Sequence, residues 1–596
     1  MKDFLKYTLA TIAGILILIV IVGVISTVSL VGIIASDSAT TNVQENSVFV
    51  LNLNGSIDER ATTDFNPVAM VMGNSSTEAA GLDDLLASIK KAKENDDIKG
   101  IYIEAGAASF DSYATAQQLR DALADFKKSG KWIIAYGDEY VQMAYWVASV
   151  ADQLYLNKTG AIDLKGLGTK AKYDTGLLEK LGIRYQAVRV GKYKSYVESK
   201  TRRDMSPEDR EQRMAFMQGV WNRMLKDIAQ SRKTTPEAIN QLVNDSILSF
   251  ANQEDYVKAK LIDQLLYPEE IKAVVKKKLG IDEDTDINQL TLAQMLNVKS
   301  TKRDEGEQIA VYYAVGEIED VDLSSYTGGE AIVGNTMAAD IRKLADDDDV
   351  KAVVIRVNSP GGSAIASEQI AHAIDLLKAK KPVVVSMGGV AASGGYMISC
   401  GANYIYAEPT TITGSIGIFG LVPNVSGLVT DKLGVTFDEA TTNRYTNYME
   451  NLVLSNNNAD ELRLLQTNID RGYDTFLTIV SKGRHMTKEQ VNEIAQGRVW
   501  LATDALGIKL IDQLGSLDDA VKKAAALAKL ETYHTAAYPA PKDWIDQLMS
   551  QEDSPSRLDN EMRSLLGEHY SEWVMLRTIE KRNRLQARLP FSTRVK

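Results

Sequence analysis

The chain holds little of what many catalytic sites are built from. Cysteine occurs once in 596 residues, at Cys400, which excludes an intramolecular disulfide and a cysteine-rich metal centre. That scarcity leaves the compartment open, because exported proteins need not use disulfides. Histidine occurs four times, at His372, His485, His534 and His569, too few for a multi-histidine metal site. Positive charge is in deficit. The 67 Lys and Arg stand against 79 Asp and Glu, for a net charge of −12, the wrong sign for a nucleic-acid surface. Neither a cofactor nor a metal is expected. Long apolar runs are absent apart from one: Thr8 to Ala35 carries no charged residue, which is long enough to span a bilayer.

Lys2 and Lys6 precede that run, and Asp37 and Glu45 follow it. The positive-inside rule then keeps the N-terminus cytoplasmic and exports the rest. The alternative is cleavage near Ala35-Ser36-Asp37, but a cleavable signal usually has a shorter apolar core. Beyond the run the chain is too long for one core. Ordinary apolar (45%) and charged (24%) contents indicate globular domains.

What is present is a sequence written twice. IKGIYIEAGAAS from Ile98 is matched by VKAVVIRVNSPGG from Val350, and KWIIAYGDEYVQMAYWVAS from Lys131 by KPVVVSMGGVAASGGYMIS from Lys381. LIDQL recurs at Leu261 and Leu510. β-Branched runs alternate with helical patterns in both copies. AVVIRV (352–357) reads as a strand, 366–381 as an amphipathic helix, PVVVSM (382–387) as a strand and AASGGYMISCGA as the start of another helix. Such alternation implies βαβ units with parallel strands. Each copy ends in a long helical stretch, beginning at Ser206 and at Asn458. The division expected is an anchor over 1–40, a first repeat with a charged linker over 41–300, a second repeat over 301–540, and a helical tail with a basic end over 541–596.

The copies differ where chemistry would sit. Asn358-Ser359-Pro360-Gly361-Gly362-Ser363 follows a strand. Its two glycines let the backbone turn N–H groups into a cavity, which suits an oxyanion, although such a loop also serves as a plain strand-to-helix turn. Its counterparts in the first copy are Ser109 and Phe110. Ser393 stands among small residues, Ala391-Ala392-Ser393-Gly394-Gly395, where a substrate backbone can approach and helix N-terminal amides favour negative charge; read alone, it also fits an N-cap. Its ungapped partner is Met143. A serine nucleophile needs a base. The four histidines sit in helical or tail segments and read as solvated or capping groups. A lysine works only when neutral, with its pKa depressed by burial or positive neighbours. Lys194 lies in Gly191-Lys192-Tyr193-Lys194-Ser195-Tyr196, near Arg189, Lys192 and Arg202, opposite Thr446. Spacing alone does not single it out from other lysines.

Val357 to Gly362, Met387-Gly388, Ala391 to Tyr396, Thr413-Gly414-Ser415-Ile416-Gly417, Gly191 to Val197 and Asp204-Met205-Ser206-Pro207 together resemble the signal peptide peptidase A family of Ser-Lys peptidases, in its long, duplicated form. The resemblance covers nearly the whole chain. It implies an α/β fold of two tandem ClpP/crotonase-like ββα-superhelix repeats plus an N-terminal transmembrane helix. It assigns Ser393 as nucleophile, Lys194 as general base and Ser415 as the hydroxyl that orients the lysine. Ser415 stands opposite Leu164. Backbone N–H groups of Gly361, Gly362 and Gly394 become the oxyanion donors. It further implies a homotetramer doming over the bacterial inner membrane, with the catalytic part periplasmic, membrane lipid around the anchor, and cleaved, apolar signal peptides as substrate. Glu198-Ser199-Lys200 departs from the family's Glu-Pro pair after the lysine. Two other readings are a crotonase-like acyl-CoA hydratase or hydrolase, disfavoured by export because CoA is cytosolic, and an inactive membrane scaffold, disfavoured by the intact Ser393, Lys194 and Ser415.

Overall fold

The computed structural model describes residue 14 and residues 40–61, 80–299, 305–322, 331–540 and 586–589. The apolar run Thr8–Ala35 lies outside them save for Gly14, as do His569 and most of the tail. Among the described residues no helix is long and apolar enough to cross a membrane.

Each repeat builds its own, largely parallel sheet. In the first, Ser47–Asp58, Ile98–Phe110, Trp132–Val141 and Gln153–Asp163 lie side by side. In the second, Tyr533–Tyr538, Glu307–Val315, Val350–Ser359 and Val383–Ala392 do the same. Val350–Ser359 is buried at eight of its ten positions, which explains its unbroken apolar run: elements pack on both faces of such a sheet. Helix Ala364–Lys378 follows, capped by Ser363 Oγ, which accepts from Ala366 N. The long helices are Pro207–Arg232 and Ala459–Arg484, each of 26 residues.

The register corrects three expectations. Gly137 pairs with Leu156 and Glu139 with Ala161, whereas Met387 pairs with Ala407 and Val390 with Ile412. One residue (Asp138) intervenes in the first copy and two (Gly388, Gly389) in the second. The alignment therefore slips by one residue, and Ser393 stands opposite Gln142 rather than Met143. The same register keeps Leu164 opposite Ser415. Secondly, the charged stretch after Pro268 is not merely a linker. Gln289–Leu290 adds to the first sheet beside Ser47–Asp58, because Leu290 and Met295 bury in that repeat's core. Thirdly, Gln586–Arg588 in the tail is a strand, since it finds open edges to pair with.

A third sheet joins the repeats. Its order is Ala331–Val333, Glu317–Glu319, Gly361–Ser363, Gln586–Arg588, Phe419–Asn424 and Arg184–Arg189. The last strand comes from the first copy and pairs antiparallel with Phe419–Asn424 along six residues, from Phe419↔Arg189 to Asn424↔Arg184. That ladder carries the segment after Arg189 across to the second repeat. Elsewhere on the seam, Arg356 Nε donates to Glu59 at 2.6 Å with both residues buried, and Thr410 Oγ1 donates to Gln117 Oε1 at 2.9 Å.

Candidate active site

Ser393 sits at the corner between strand Val383–Ala392 and the single turn Gly394–Met397. Its backbone is at φ 58° and ψ −115°, outside the ordinary wells of an L-residue and costing about 1–3 kcal/mol. Ser393 N donates to Gly414 O at 2.8 Å, which ties the corner to the neighbouring strand Ile412–Gly414. The expected helix after Ser393 is only one turn long, so polarity at the site rests on individual N–H groups rather than on a helix dipole.

Lys194 arrives from the other repeat. It is fully buried, as are Ser393 and Ser415. Its Nζ lies 2.8 Å from Ser393 Oγ, 3.0 Å from Ser415 Oγ and 3.0 Å from Ser415 O. A neutral amine has two N–H donors and one lone pair. When the amine is neutral, its two N–H groups can serve the carbonyl and hydroxyl of Ser415 while its lone pair accepts from the Ser393 hydroxyl. Among the described residues no carboxylate contacts the amine, and burial holds its pKa well below the ordinary value.

The expected electrostatic helpers are otherwise engaged. Arg189 Nη1 donates to Lys194 O at 2.9 Å and to Glu198 Oε1 at 3.5 Å. Arg202 pairs with Asp204, and the Lys192 amine lies over the Tyr193 ring. Desolvation, rather than neighbouring cations, depresses the lysine. Glu198 is itself buried and accepts from Ser206 N at 3.1 Å, so its carboxylate braces the loop that lacks the Glu-Pro pair. His372 and His485 are exposed, and His534 meets Gly306 O. None of the three belongs to the cluster. Thr446 is exposed and bonds Asn443 O.

The glycine loop stands against the serine corner. Gly361 has φ 92°, and a Cβ there would lie 2.6 Å from Gly394 N, so only glycine permits this approach. The Gly361 N–H is already donated to Ser359 Oγ at 3.2 Å. That bond engages the Gly361 amide in this structure, where Gly361 shapes the loop, and Gly361, Gly362 and Gly394 stand as the candidate oxyanion donors.

The sequence did not single out Gln496-Gly497-Arg498, which reads as an ordinary turn between a helix and a strand. It clamps both halves of the site. Gln496 O accepts from Tyr193 N at 3.0 Å, and Arg498 O accepts from Ser415 N at 2.7 Å. Gly497 has φ 76°, and a Cβ on it would lie 2.7 Å from Lys194 N and 2.8 Å from Lys194 Cβ. Gly497→Val is therefore expected to displace Lys194 and lower kcat about 10²-fold, as a 1 Å misplacement does, with little change in KM. A kcat unchanged in steady-state assay would refute that positioning role.

Comparison with known proteins gives a consistent result. The profile of peptidase family S49 matches residues 125–282 and again 375–531, and that of Clp protease matches residues 318–411. The chain is 35% identical to Protease 4 of Salmonella typhi over 529 residues, 87% of this chain and 82% of that one. It is 30% identical to the chloroplastic serine protease SPPA of Arabidopsis thaliana over 493 residues, covering 82% and 70%. A putative signal peptide peptidase SppA of Enterococcus faecium matches at 34% over 218 residues, 36% of this chain and 62% of that one. With the S49 profile matched once in each repeat and relatives aligned along most of their length, this chain belongs to peptidase family S49 and is a serine peptidase with that domain in duplicate.

Proposed function

We propose that the chain is a membrane-anchored endopeptidase whose single catalytic centre draws on both repeats. Ser393 is the nucleophile, Lys194 the general base, and Ser415 the group that orients the lysine amine. The observation that carries this is a fully buried lysine from the first repeat with its amine 2.8 Å from the hydroxyl of a strained serine in the second. Lys194 takes the Ser393 proton as Oγ attacks a peptide carbonyl. Donors among the N–H groups of Gly361, Gly362 and Gly394 receive the oxyanion, each worth about 3–4 kcal/mol by the usual cost of deleting such a donor. The ammonium then protonates the leaving amine, and water attacks the acyl-enzyme with Lys194 again as base.

The substrates in this reading are apolar peptides, cleaved signal peptides first among them. The uncharged run Thr8–Ala35 supports it by placing the centre near peptides left in the bilayer, and so does the name of the Enterococcus faecium relative. The anchor spans 1–40 with its N-terminus cytoplasmic, and the repeats over 41–300 and 301–540 and the tail over 541–596 are periplasmic. The chain assembles as a homotetramer at the bacterial inner membrane and needs no cofactor. The acyl-CoA alternative finds no support among the S49 relatives. A scaffold would have no use for a buried lysine and a strained serine aimed at each other.

The test is cleavage of an apolar fluorogenic peptide by the full chain in detergent micelles. Ser393→Ala is expected to lower kcat/KM by about 10⁶-fold, as loss of a nucleophile does elsewhere. Wild-type rates persisting in Ser393→Ala would sink the assignment.

A further inference from the structure

One buried side chain ties the base to the second repeat and takes no part in the chemistry described so far. Gln212 lies in the second turn of helix Pro207–Arg232 and is 1% exposed. Its Nε2 donates to Tyr193 O at 3.1 Å and to Ser195 Oγ at 3.0 Å, the residues on either side of Lys194. Its Oε1 accepts from Val499 N at 3.2 Å. Val499 opens strand Val499–Leu501 of the second repeat, which runs antiparallel to Ile412–Gly414 and pairs Val499 with Gly414. Gly414 O holds Ser393 N, and the next residue is Ser415. One carboxamide therefore joins the loop that carries the base to the strand pair that carries its partners.

The link suits a carboxamide. That group offers donors and an acceptor without charge, and here both functions are used on buried partners. An apolar side chain would strand the Val499 N–H. A charged one would shift the balance of the nearby base, since a carboxylate beside an amine favours its protonated form. The charged groups around the link are already committed. Asp209 accepts from Ser195 Oγ at 2.5 Å and from Arg213 Nε at 2.8 Å, and lies 3.2 Å from Gln212 Nε2. Arg498 pairs with Glu211 at 2.9 Å, and Arg189 with Glu198 at 3.5 Å. Burial, rather than any of these charges, lowers the pKa of the Lys194 amine.

We propose that Gln212 is a positioning residue for the Ser-Lys reaction: its carboxamide locks the Lys194 loop of the first repeat to strand Val499–Leu501 of the second, and so sets the base against Ser393. The inference rests on the peptidase reading above. Gln212 touches no reacting atom. It acts through Tyr193 and Ser195, which fix where the Lys194 stem leaves the main chain, and by keeping water out of the seam on which the neutral amine depends. The turn at Gly497 bounds Lys194 by contact, whereas Gln212 holds its loop by hydrogen bonds from a different element.

The experiment compares the full-length wild type with two variants. Gln212→Met keeps the length of the side chain and removes both hydrogen-bonding functions. Gln212→Asn keeps the amide but is one methylene short. Cleavage of the apolar fluorogenic peptide in detergent micelles is followed from pH 6 to 10. Gln212→Met is expected to lower kcat about 10²-fold at unchanged KM, as a misplacement of about 1 Å does. The midpoint of its pH–rate profile is expected to move up toward the 10.5 of an ordinary lysine, because a hydrated amine holds its proton more tightly. Gln212→Asn moves both quantities the same way by less, and carries the test by itself if Gln212→Met does not fold. Wild-type kcat and midpoint in the folded variants overturn the proposal even where the melting temperature falls, because a merely structural glutamine costs stability alone. A raised KM at wild-type kcat overturns it too, by moving Gln212 to substrate binding.

Thermal unfolding gives a readout without catalysis. The stability that wild type gains over Lys194→Met between pH 7 and 10 is expected to shrink when both chains also carry Gln212→Met, since a hydrated amine binds its proton in the folded state as well. An equal gain in both backgrounds refutes the proposal. Wild-type rates persisting in Ser393→Ala would instead defeat the peptidase reading and leave this unfolding comparison standing.

Discussion

Lys194→Met is expected to lower kcat/KM by about 10⁴-fold, the upper range for loss of a positioned base, without lowering the melting temperature at pH 7. Methionine keeps the length of the buried stem and removes the amine. Because burial pushes the folded-state pKa of Lys194 below its ordinary value of 10.5, the unfolded chain binds a proton that the folded chain does not. Stability then rises with pH between the folded-state pKa and about 10.5, and at neutral pH this amine is a cost to the fold. The wild type should gain stability relative to Lys194→Met as pH is raised from 7 to 10, and its kcat/KM should rise as the amine deprotonates, levelling off below the pH at which a free lysine would. Thermal unfolding at both pH values and a pH–rate profile from 6 to 10 check this. A variant less stable at pH 7 and equally stable at pH 10 would contradict the neutral amine, and a flat wild-type profile would remove Lys194 as the base.

Glu59→Ala is expected to destabilise the chain by about 3–5 kcal/mol, the usual cost of stranding one partner of a buried ion pair. Arg356 is fully buried and Glu59 is 3% exposed. The guanidinium also donates to Ser386 Oγ at 2.8 Å, so it has no route to water once the carboxylate is gone. The pair joins the end of the first repeat's leading strand to the strand that carries the glycine loop. Its loss is therefore expected to reduce activity along with stability. Replacing both residues with methionine should recover much of the stability, since well-packed apolar substitutes for such pairs are often neutral. Denaturant unfolding of the single and double variants measures the difference, and a single variant within 1 kcal/mol of wild type would mean that the pair is screened or rearranged.

Part of the site was legible in the sequence because the two copies act as mutual controls. Where the first copy reads Met143 in ungapped comparison, the second has Ser393, and that contrast singles out the serine without any spatial information, whereas Ser415 opposite Leu164 is reached through the family resemblance. The buried run from Val350 to Ser359 and the helix opened by Ser363 follow from side-chain period and capping chemistry, which are local. The one-residue slip to Met143 arose where Gly388-Gly389 replaces a single residue. A comparison of letters cannot place such a gap without the strand register.

Lys194 marks the other boundary. In the chain it is one of many lysines, distinguished only by family resemblance. The structure sets it apart by desolvation, which depends on elements far apart in sequence: the ladder of Arg184–Arg189 with Phe419–Asn424, the turn at Gly497, and the backbone of Ser415. The occupied Gly361 amide, the clamp at Gln496 to Arg498 and the strand at 586–589 are likewise invisible to periodicity, because each is a contact between segments with no shared pattern. By itself the sequence determined the duplication, the parallel α/β repeats, the apolar run at the start and the serine on its tight corner, since these rest on local propensity and internal comparison. Only the tertiary structure decided which lysine is desolvated beside the serine and which amides are already engaged, since burial and hydrogen-bond occupancy are properties of the packed chain.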